Sequence, residues 1–364
     1  MKKFWLTYKP VIYLFLVWRL VLAVAQYSAG FLFPLRDGFL GLFSPWANLD
    51  GEHYISIAHT GYQYYDVAFF PFYPLVLRWF GGIRPEDLTT AGLLISHTCF
   101  FLGLLLFYKL LLPFGRDKAV WAILFLLAFP TSFFFAAVYS ESLYFFLSIG
   151  CVYLLTQSRW LLAGVFGMLA GGTRLFGLFL AVPYLALLVK IRDKGKIYPY
   201  LFIALIPVGF LAYMAYLYTF NGDPLSFFHI QPAFGAGRTG GQLILLPQVL
   251  WRYLKILSTW QVHEFVYWIA VLELGTLIGS LVLLWVGFKK KINLSYLLYT
   301  AAIILLPTLT GTLSSLPRYA LSAFPLFIIL GSLHNTQMKY ILVSLFVVLE
   351  FILTAAYLRG YFVA

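Results

Sequence analysis

The sequence predicts an all-α polytopic membrane protein, a single integral domain over residues 1–364, and three observations carry this expectation. Hydrophobic residues make up 62% of the chain and charged residues only 10%, with a mean hydropathy of +0.88. A soluble globule carries about 25% charged residues. Apolar runs recur from end to end, and no polar block is long enough for a second soluble domain. Lys and Arg, finally, collect in alternate turns, as they do on one side of a membrane.

Eleven spans are expected, at about 10–33, 90–112, 119–138, 142–157, 160–173, 175–190, 197–219, 266–288, 294–313, 320–333 and 338–357. A bilayer core of roughly 30 Å needs about 20 helical residues, so the spans within 142–173 and at 320–333 are short. The opening residues mimic a signal peptide, with Lys2, Lys3, an apolar run and Ala23-Val24-Ala25, but Arg19 interrupts the run and favours an uncleaved first span. One set of turns then carries Lys109, Arg116, Lys118, Arg159, Lys190, Arg192, Lys194, Lys196, Lys289, Lys290, Lys291 and Lys339, accompanied only by Asp117 and Asp193. The opposite set carries Asp37, Asp50, Glu52, Asp66, Glu86, Asp87, Glu141, Asp223 and Glu264. This asymmetry predicts a cytoplasmic N-terminus and an external C-terminus. It also removes the nucleic-acid reading that a net charge of +12 would otherwise invite.

Two external loops follow, at about 34–89 and 220–265. Within the first, residues 69–83 are too short to span and begin with Pro71 and Pro74. They carry Arg78 and Trp79 as an interfacial helix would, so juxtamembrane helices are expected there. The second holds the turn signal Asn221-Gly222-Asp223-Pro224 and a glycine-rich stretch around Arg238. Cys99 and Cys151 both lie in apolar runs and imply neither a disulfide framework nor a thiolate metal site. No P-loop, dinucleotide-binding or zinc spacing occurs.

The most polar stretch of the first hundred residues, 44–62, contains Trp46, Asp50, Glu52, His53 and His59. If residues 52–59 are helical, Asp50 and His53 lie about one turn apart and share a face. Tyr139-Ser140-Glu141-Ser142, Thr173-Arg174, Arg238 and Pro317-Arg318-Tyr319 fall at turns on the same side. Ionisable groups at membrane depth are costly and mostly functional. Carboxylates beside water and arginines at the membrane boundary together suit a lipid phosphate entering from the side.

These residues give the chain a family likeness. Trp46, Asp50 through Tyr54, Ile57-Ala58, Gly61-Tyr62, residues 69–74, 130–135 and 139–143, Thr173-Arg174, Arg318-Tyr319 and Phe324-Pro325 form an ordered set. The set resembles the GPI mannosyltransferase 2 (PIG-V) family, in particular its shorter prokaryotic members, within the GT-C class of membrane glycosyltransferases. Residues 190–310 are matched only by hydropathy. The family's usual aromatic before the first-loop Asp is Leu49 here, and the polar residues that often follow Thr-Arg are Leu175-Phe176. The resemblance implies a GT-C fold and inverting transfer from a polyprenyl- or dolichyl-phosphate mannose donor, with no metal and no other cofactor. The partners are that donor, a glycan or glycolipid acceptor and membrane lipids. The expected location is a prokaryotic plasma membrane, or the endoplasmic reticulum membrane of a eukaryote, with chemistry on the extracytoplasmic face.

Inverting transfer needs a carboxylate to take the acceptor's proton, and Asp50 is the candidate general base. Asp50 also reads as a cap of the following helix. Glu52, His53 and Trp46 are candidates for orienting the acceptor or tuning the base, with Glu52 and His53 equally readable as solvated loop residues. Glu141 and Tyr139 are candidates for positioning the sugar, though Glu141 also suits a helix N-terminus electrostatically. Arg174 has no acid nearby in sequence, so it wants an anion: a lipid phosphate, or Glu273 or Glu350 as a buried ion pair. Arg318 is a second phosphate candidate that can instead snorkel to the headgroups. Asp50-x-Glu52 is a poor metal motif, and none is assigned. The same chemistry on another lipid-phosphate sugar and a non-catalytic lipid-linked sugar flippase are the alternatives.

Overall fold

The computed structural model describes residues 2–36, 44–191 and 198–364. Asp37 and the basic turn at 192–196 therefore lie outside the described residues. Among those described there is no strand, and seventeen α-helices follow one another. They are α1 (Lys2–Leu32), α2 (Asp50–Thr60), α3 (Phe72–Gly81), α4 (Pro85–Leu111), α5 (Arg116–Ala128) and α6 (Glu141–Thr156). Next come α7 (Trp160–Thr173), α8 (Ala181–Ile191), α9 (Tyr198–Ile203), α10 (Val208–Asn221), α11 (Ser226–His229) and α12 (Leu246–Thr259). The last are α13 (Phe265–Lys289), α14 (Leu294–Leu305), α15 (Leu316–Ala320), α16 (Pro325–Gly331) and α17 (Thr336–Leu358).

Among the described residues, five segments are long and apolar enough to cross a membrane: Trp5–Leu32, Pro85–Phe114, Tyr198–Asn221, Phe265–Lys289 and Thr336–Leu358. Shorter apolar helices cover Glu141–Thr156, Trp160–Thr173, Leu175–Lys190 and Leu294–Thr310. The two remaining expected spans are not continuous helices. The helix expected to run to 138 stops at Ala128, because Pro130 lacks a backbone N–H and forces Phe129 into an extended conformation at ψ 137°. Of the residues expected at 320–333, only the seven of α16 form a helix of their own, separated from the end of α15 by residues 321–324.

The segment 129–140, regular only in a short 3-10 turn at Ser132–Phe135, is buried throughout apart from the half-buried Phe129, a placement that membrane proteins tolerate only where protein surrounds the backbone. Its polar groups find local partners. Ser132, Phe134 and Ala136 donate to carbonyls three residues back, and Val138 N–H donates to the Trp46 carbonyl at 2.8 Å. The Thr131 hydroxyl donates to the Pro317 carbonyl at 2.9 Å, tying this segment to the turn that carries Arg318.

Around it α4 packs on α6, α6 on α7, α1 on α17 and α5 on α16. Inside the α1–α17 contact the Trp18 indole donates to Glu350 at 2.7 Å. The first loop forms the expected helices α2 and α3. Pro85 at the first turn, followed by Glu86 and Asp87, starts α4 five residues before the expected span.

Candidate active site

Asp50 is delivered to its position by a firmly anchored approach. The Trp46 indole donates to Gln26 on α1 at 2.9 Å. Asn48 is fully buried; its amide donates to the Tyr357 carbonyl at 3.1 Å, and its own carbonyl accepts the Tyr139 hydroxyl at 2.8 Å. Leu49 then turns through φ 56°, ψ −116°, and α2 begins with Asp50. Leu49, rather than Asp50, holds the N-cap position, and no side chain caps this helix. The Asp50 carboxylate is therefore free of the capping role and faces a cavity.

That cavity has a volume of about 560 Å³ and draws its walls from segments far apart in sequence. Asp50, Glu52 and His53 come from α2, Glu141 from the first turn of α6, and Arg174 from the end of α7. Arg238 comes from the second loop and Arg318 from α15. Four of these groups form an alternating chain. Arg318 pairs with Asp50 through Nη1, and Arg174 pairs with Glu141 through Nη1. Arg318 Nε stands 3.6 Å from the same Glu141 oxygen, within ion-pair range but too far for a hydrogen bond. Glu141 is 2% exposed and Arg318 8% exposed, so these charges are largely removed from water. Glu141 Oε2 and Arg318 Nε are buried without a hydrogen-bond partner. Truncating one member of such a pair typically costs about 3–5 kcal/mol, because the other charge stays buried.

Aromatic rings line the arginines. The Arg318 guanidinium lies 5.5 Å from the Phe134 ring and 5.6 Å from Tyr139. Arg174 lies 5.7 Å from Phe176 and 5.8 Å from Tyr319. Phe176 thus supplies an aromatic face to Arg174.

On α2, His53 Nδ1 bonds to Asp66 at 2.7 Å rather than to Asp50, and its ring stacks on Phe69 with centroids 4.7 Å apart. Burial disfavours the imidazolium, but the Asp66 bond and the charges of Asp50, Asp66 and Glu52 outweigh it and raise the His53 pKa. Burial also pushes the Glu52 carboxyl up, with His53 opposing.

The expected site residues thus divide. Asp50, Glu52, His53, Glu141, Arg174 and Arg318 line one cavity. Trp46 and Tyr139 lie behind it, buried in the support of Asn48 and Arg318. Arg174 finds its anion in Glu141, neither in Glu273, which bonds to Tyr253, nor in Glu350, which bonds to Ser132 and Trp18. Arg318 is likewise paired instead of snorkelling. Asp66, the partner of His53, had no sequence signal beyond its charge. Phe69 was visible within the residues 69–74.

An all-helical membrane body enclosing a cavity of paired carboxylates and arginines defines a class: membrane enzymes and carriers that handle polar head groups at a bilayer edge. Residues 26–220 match the family model "Mannosyltransferase (PIG-V)", more than half of the chain, and the protein belongs to that family. The matched region contains Asp50, Glu141 and Arg174, whereas Arg238 and Arg318 lie beyond it. Among curated proteins, the GPI alpha-1,6-mannosyltransferase 2 of Mus musculus is 34% identical over 161 residues, 40% of this chain and 31% of the relative. That of Homo sapiens is 28% identical over 221 residues, 52% and 43% respectively. The matches thus span between 31% and 43% of these relatives' own length. A distant likeness also exists to the oligosaccharyltransferase of Archaeoglobus fulgidus in its apo form. At TM-score 0.44 and 14% identity, over 95% of this chain and 56% of that one, it is too weak to carry an argument.

Proposed function

We propose that the protein is a GT-C membrane mannosyltransferase, moving mannose from a polyprenyl- or dolichyl-phosphate donor to a glycan or glycolipid acceptor with inversion. The reading places the chemistry on the extracytoplasmic face of a plasma membrane. The observation that carries it is the chain Asp50–Arg318–Glu141–Arg174 opening on one cavity, within a member of a mannosyltransferase family.

In this reading the acceptor hydroxyl lies against Asp50. As its oxygen bonds to the anomeric carbon, its proton passes to the Asp50 carboxylate. The bond from that carbon to the phosphate oxygen breaks, and the electron pair leaves with the phosphate. Arg318 fixes the base through Oδ2, while Glu141 Oε2 offers an acceptor to a sugar hydroxyl. The arginines that line the cavity supply the positive charge that offsets the phosphate's. Charge develops at the sugar much as in glycoside hydrolysis, where the transition state is oxocarbenium-like, and flanking carboxylates favour it. Cation binding at Asp50 would have to compete with Arg318, so no metal is assigned. A flippase would use acids near the bilayer centre, but Glu273 accepts the Tyr253 hydroxyl and Glu350 the Ser132 hydroxyl, and neither lines this cavity.

Asp50→Asn keeps size while removing the proton acceptor. Mannosyl transfer by the purified protein should fall by about 10²-fold or more, with donor binding near wild type, since the loss belongs to the transition state. Near-normal turnover would end the role of Asp50 and pass it to Glu52, whose raised pKa suits a base.

A further inference from the structure

The cavity contains a third arginine whose charge is not cancelled by an ion pair. Arg174 and Arg318 each contact a carboxylate, so the inner network of two arginines, Asp50 and Glu141 is neutral as a unit. Arg238 lines the same cavity from the second loop, half-buried. Its Nη2 donates to the hydroxyls of Ser314 at 3.3 Å and Ser315 at 3.2 Å, and its Nη1 to the Gln231 side-chain oxygen at 3.3 Å. All three partners are neutral and the bonds are long, so an incoming anion can displace them. Among the described residues no carboxylate lies within ion-pair distance of Arg238; Glu273, which accepts the Tyr253 hydroxyl, attracts it only across a longer gap.

The position is held from both sides. Thr239 N–H donates to the Thr310 carbonyl at 2.8 Å, and Arg252 donates to the Gly311 carbonyl at 2.9 Å. Arg238 therefore rests on the turn that continues through Ser315 to Arg318. Phe227, Phe228, Phe234, Leu306 and Pro307 line the same cavity with apolar surface along which an isoprenoid chain can lie.

We propose that Arg238, with the hydroxyls of Ser314 and Ser315, is the direct ligand of the lipid phosphate, while Arg174 and Arg318 hold Glu141 and Asp50 in place. This deepens the mannosyltransferase reading and rests on it. The phosphodiester of the donor carries one negative charge. When the bond to the sugar breaks, the electron pair stays on the phosphate, and a monoester of about −1.5 to −2 charge remains at pH 7. A guanidinium at that oxygen gains strength as the bond breaks and so favours the transition state over the bound donor.

The test is binding of a polyprenyl monophosphate to the full-length protein in nanodiscs, with the corresponding polyprenol as reference. Wild type should prefer the phosphate by about 10-fold or more, the scale of a charge-assisted contact. Arg238→Gln should lose most of that preference, and Arg238→Lys should restore part of it. An Arg238→Gln protein that folds and still prefers the phosphate overturns the proposal. So does an Arg238→Lys protein of wild-type thermal stability that prefers the phosphate no more than Arg238→Gln does. Suppose instead that the substitution abolishes binding of a phosphoinositide glycolipid and spares the polyprenyl phosphate. The residue then reads the acceptor, and the donor assignment is overturned. A wild type that cannot tell phosphate from alcohol defeats the lipid-phosphate donor reading itself, a failure visible before any variant is made.

Discussion

Leu49 and Ser315 occupy equivalent places in two segments far apart in the chain. Both are non-glycine residues at positive φ, 56° and 67°, and each stands just before a member of the central ion pair: Leu49 before Asp50, Ser315 three residues before Arg318. Such conformations cost about 1–3 kcal/mol each and persist where the surroundings over-determine them. Here the Asn48 contacts with Tyr357 and Tyr139, and the Thr131 bond to Pro317, supply that constraint. His53 makes the same neighbourhood sensitive to pH. Its pKa is raised above the ordinary 6.5 against the cost of burial, through Asp66 and the surrounding carboxylates. A raised folded pKa means that the protonated form stabilises the fold. The contribution is complete below the unfolded pKa and is lost as pH rises through the folded one. Thermal stability of the wild type should therefore decline from about pH 6.5 upward more steeply than that of His53→Gln. Parallel profiles would remove His53 from the set of linked groups.

At the level of elements, the bend after α7 is what aims Arg174. Gly177 lies in the helical turn that follows, so close to α7 that a Cβ there would stand 2.2 Å from the Gly171 nitrogen and 2.6 Å from the Ala170 carbonyl oxygen. Neither is the end of a flexible side chain, so the backbone must move. A Cβ at Gly209 on α10 would likewise stand 2.1 Å from the Met168 carbonyl oxygen of α7, in the small-residue packing common between membrane helices. Gly177→Ala should destabilise the protein by roughly 1–3 kcal/mol, as overpacking does, and lower transfer by shifting Arg174 from Glu141. Measured by thermal unfolding in detergent together with turnover, wild-type values for both would show that the bend has room to spare. Some of this level was readable in the sequence: α6, α7 and both first-loop helices fall near their expected positions, because apolar runs and Pro or Gly punctuation mark their ends. The segment 129–140 was not, since a long apolar run reads as a span whether or not it is helical, and only Pro130 signalled the break. Helix α12 escaped notice inside a loop read for turns.

For the whole molecule, charge type was legible and pairing was not. That Asp50, Glu141, Arg174 and Arg318 gather at one end of the helices follows from alternation of spans; that Arg318 meets Asp50 across 268 residues of sequence is decided by the fold alone. The cavity collects the start of α6, the end of α7 and the end of α14. The basic turns lie at the other ends of these and neighbouring helices: Arg159 after α6, Lys190 in the last turn of α8, Lys289 in that of α13. Helices α4 and α13 carry this polarity within single elements, with Glu86 opposite Lys109 and Glu264 opposite Lys289. If Lys and Arg mark the cytoplasm, the cavity faces outward. With Cys99 and Cys151 replaced by alanine, single cysteines at Glu86, Arg116, Glu264 and Lys289 test this at exposed positions. A membrane-impermeant thiol reagent added to intact cells should label Glu86→Cys and Glu264→Cys. Arg116→Cys and Lys289→Cys should react only after permeabilisation. Labelling of Glu264→Cys and Lys289→Cys from the same side would mean that α13 does not cross. The reverse pattern, with only the basic ends reached from outside, would turn the cavity to the cytoplasm and require a donor presented there.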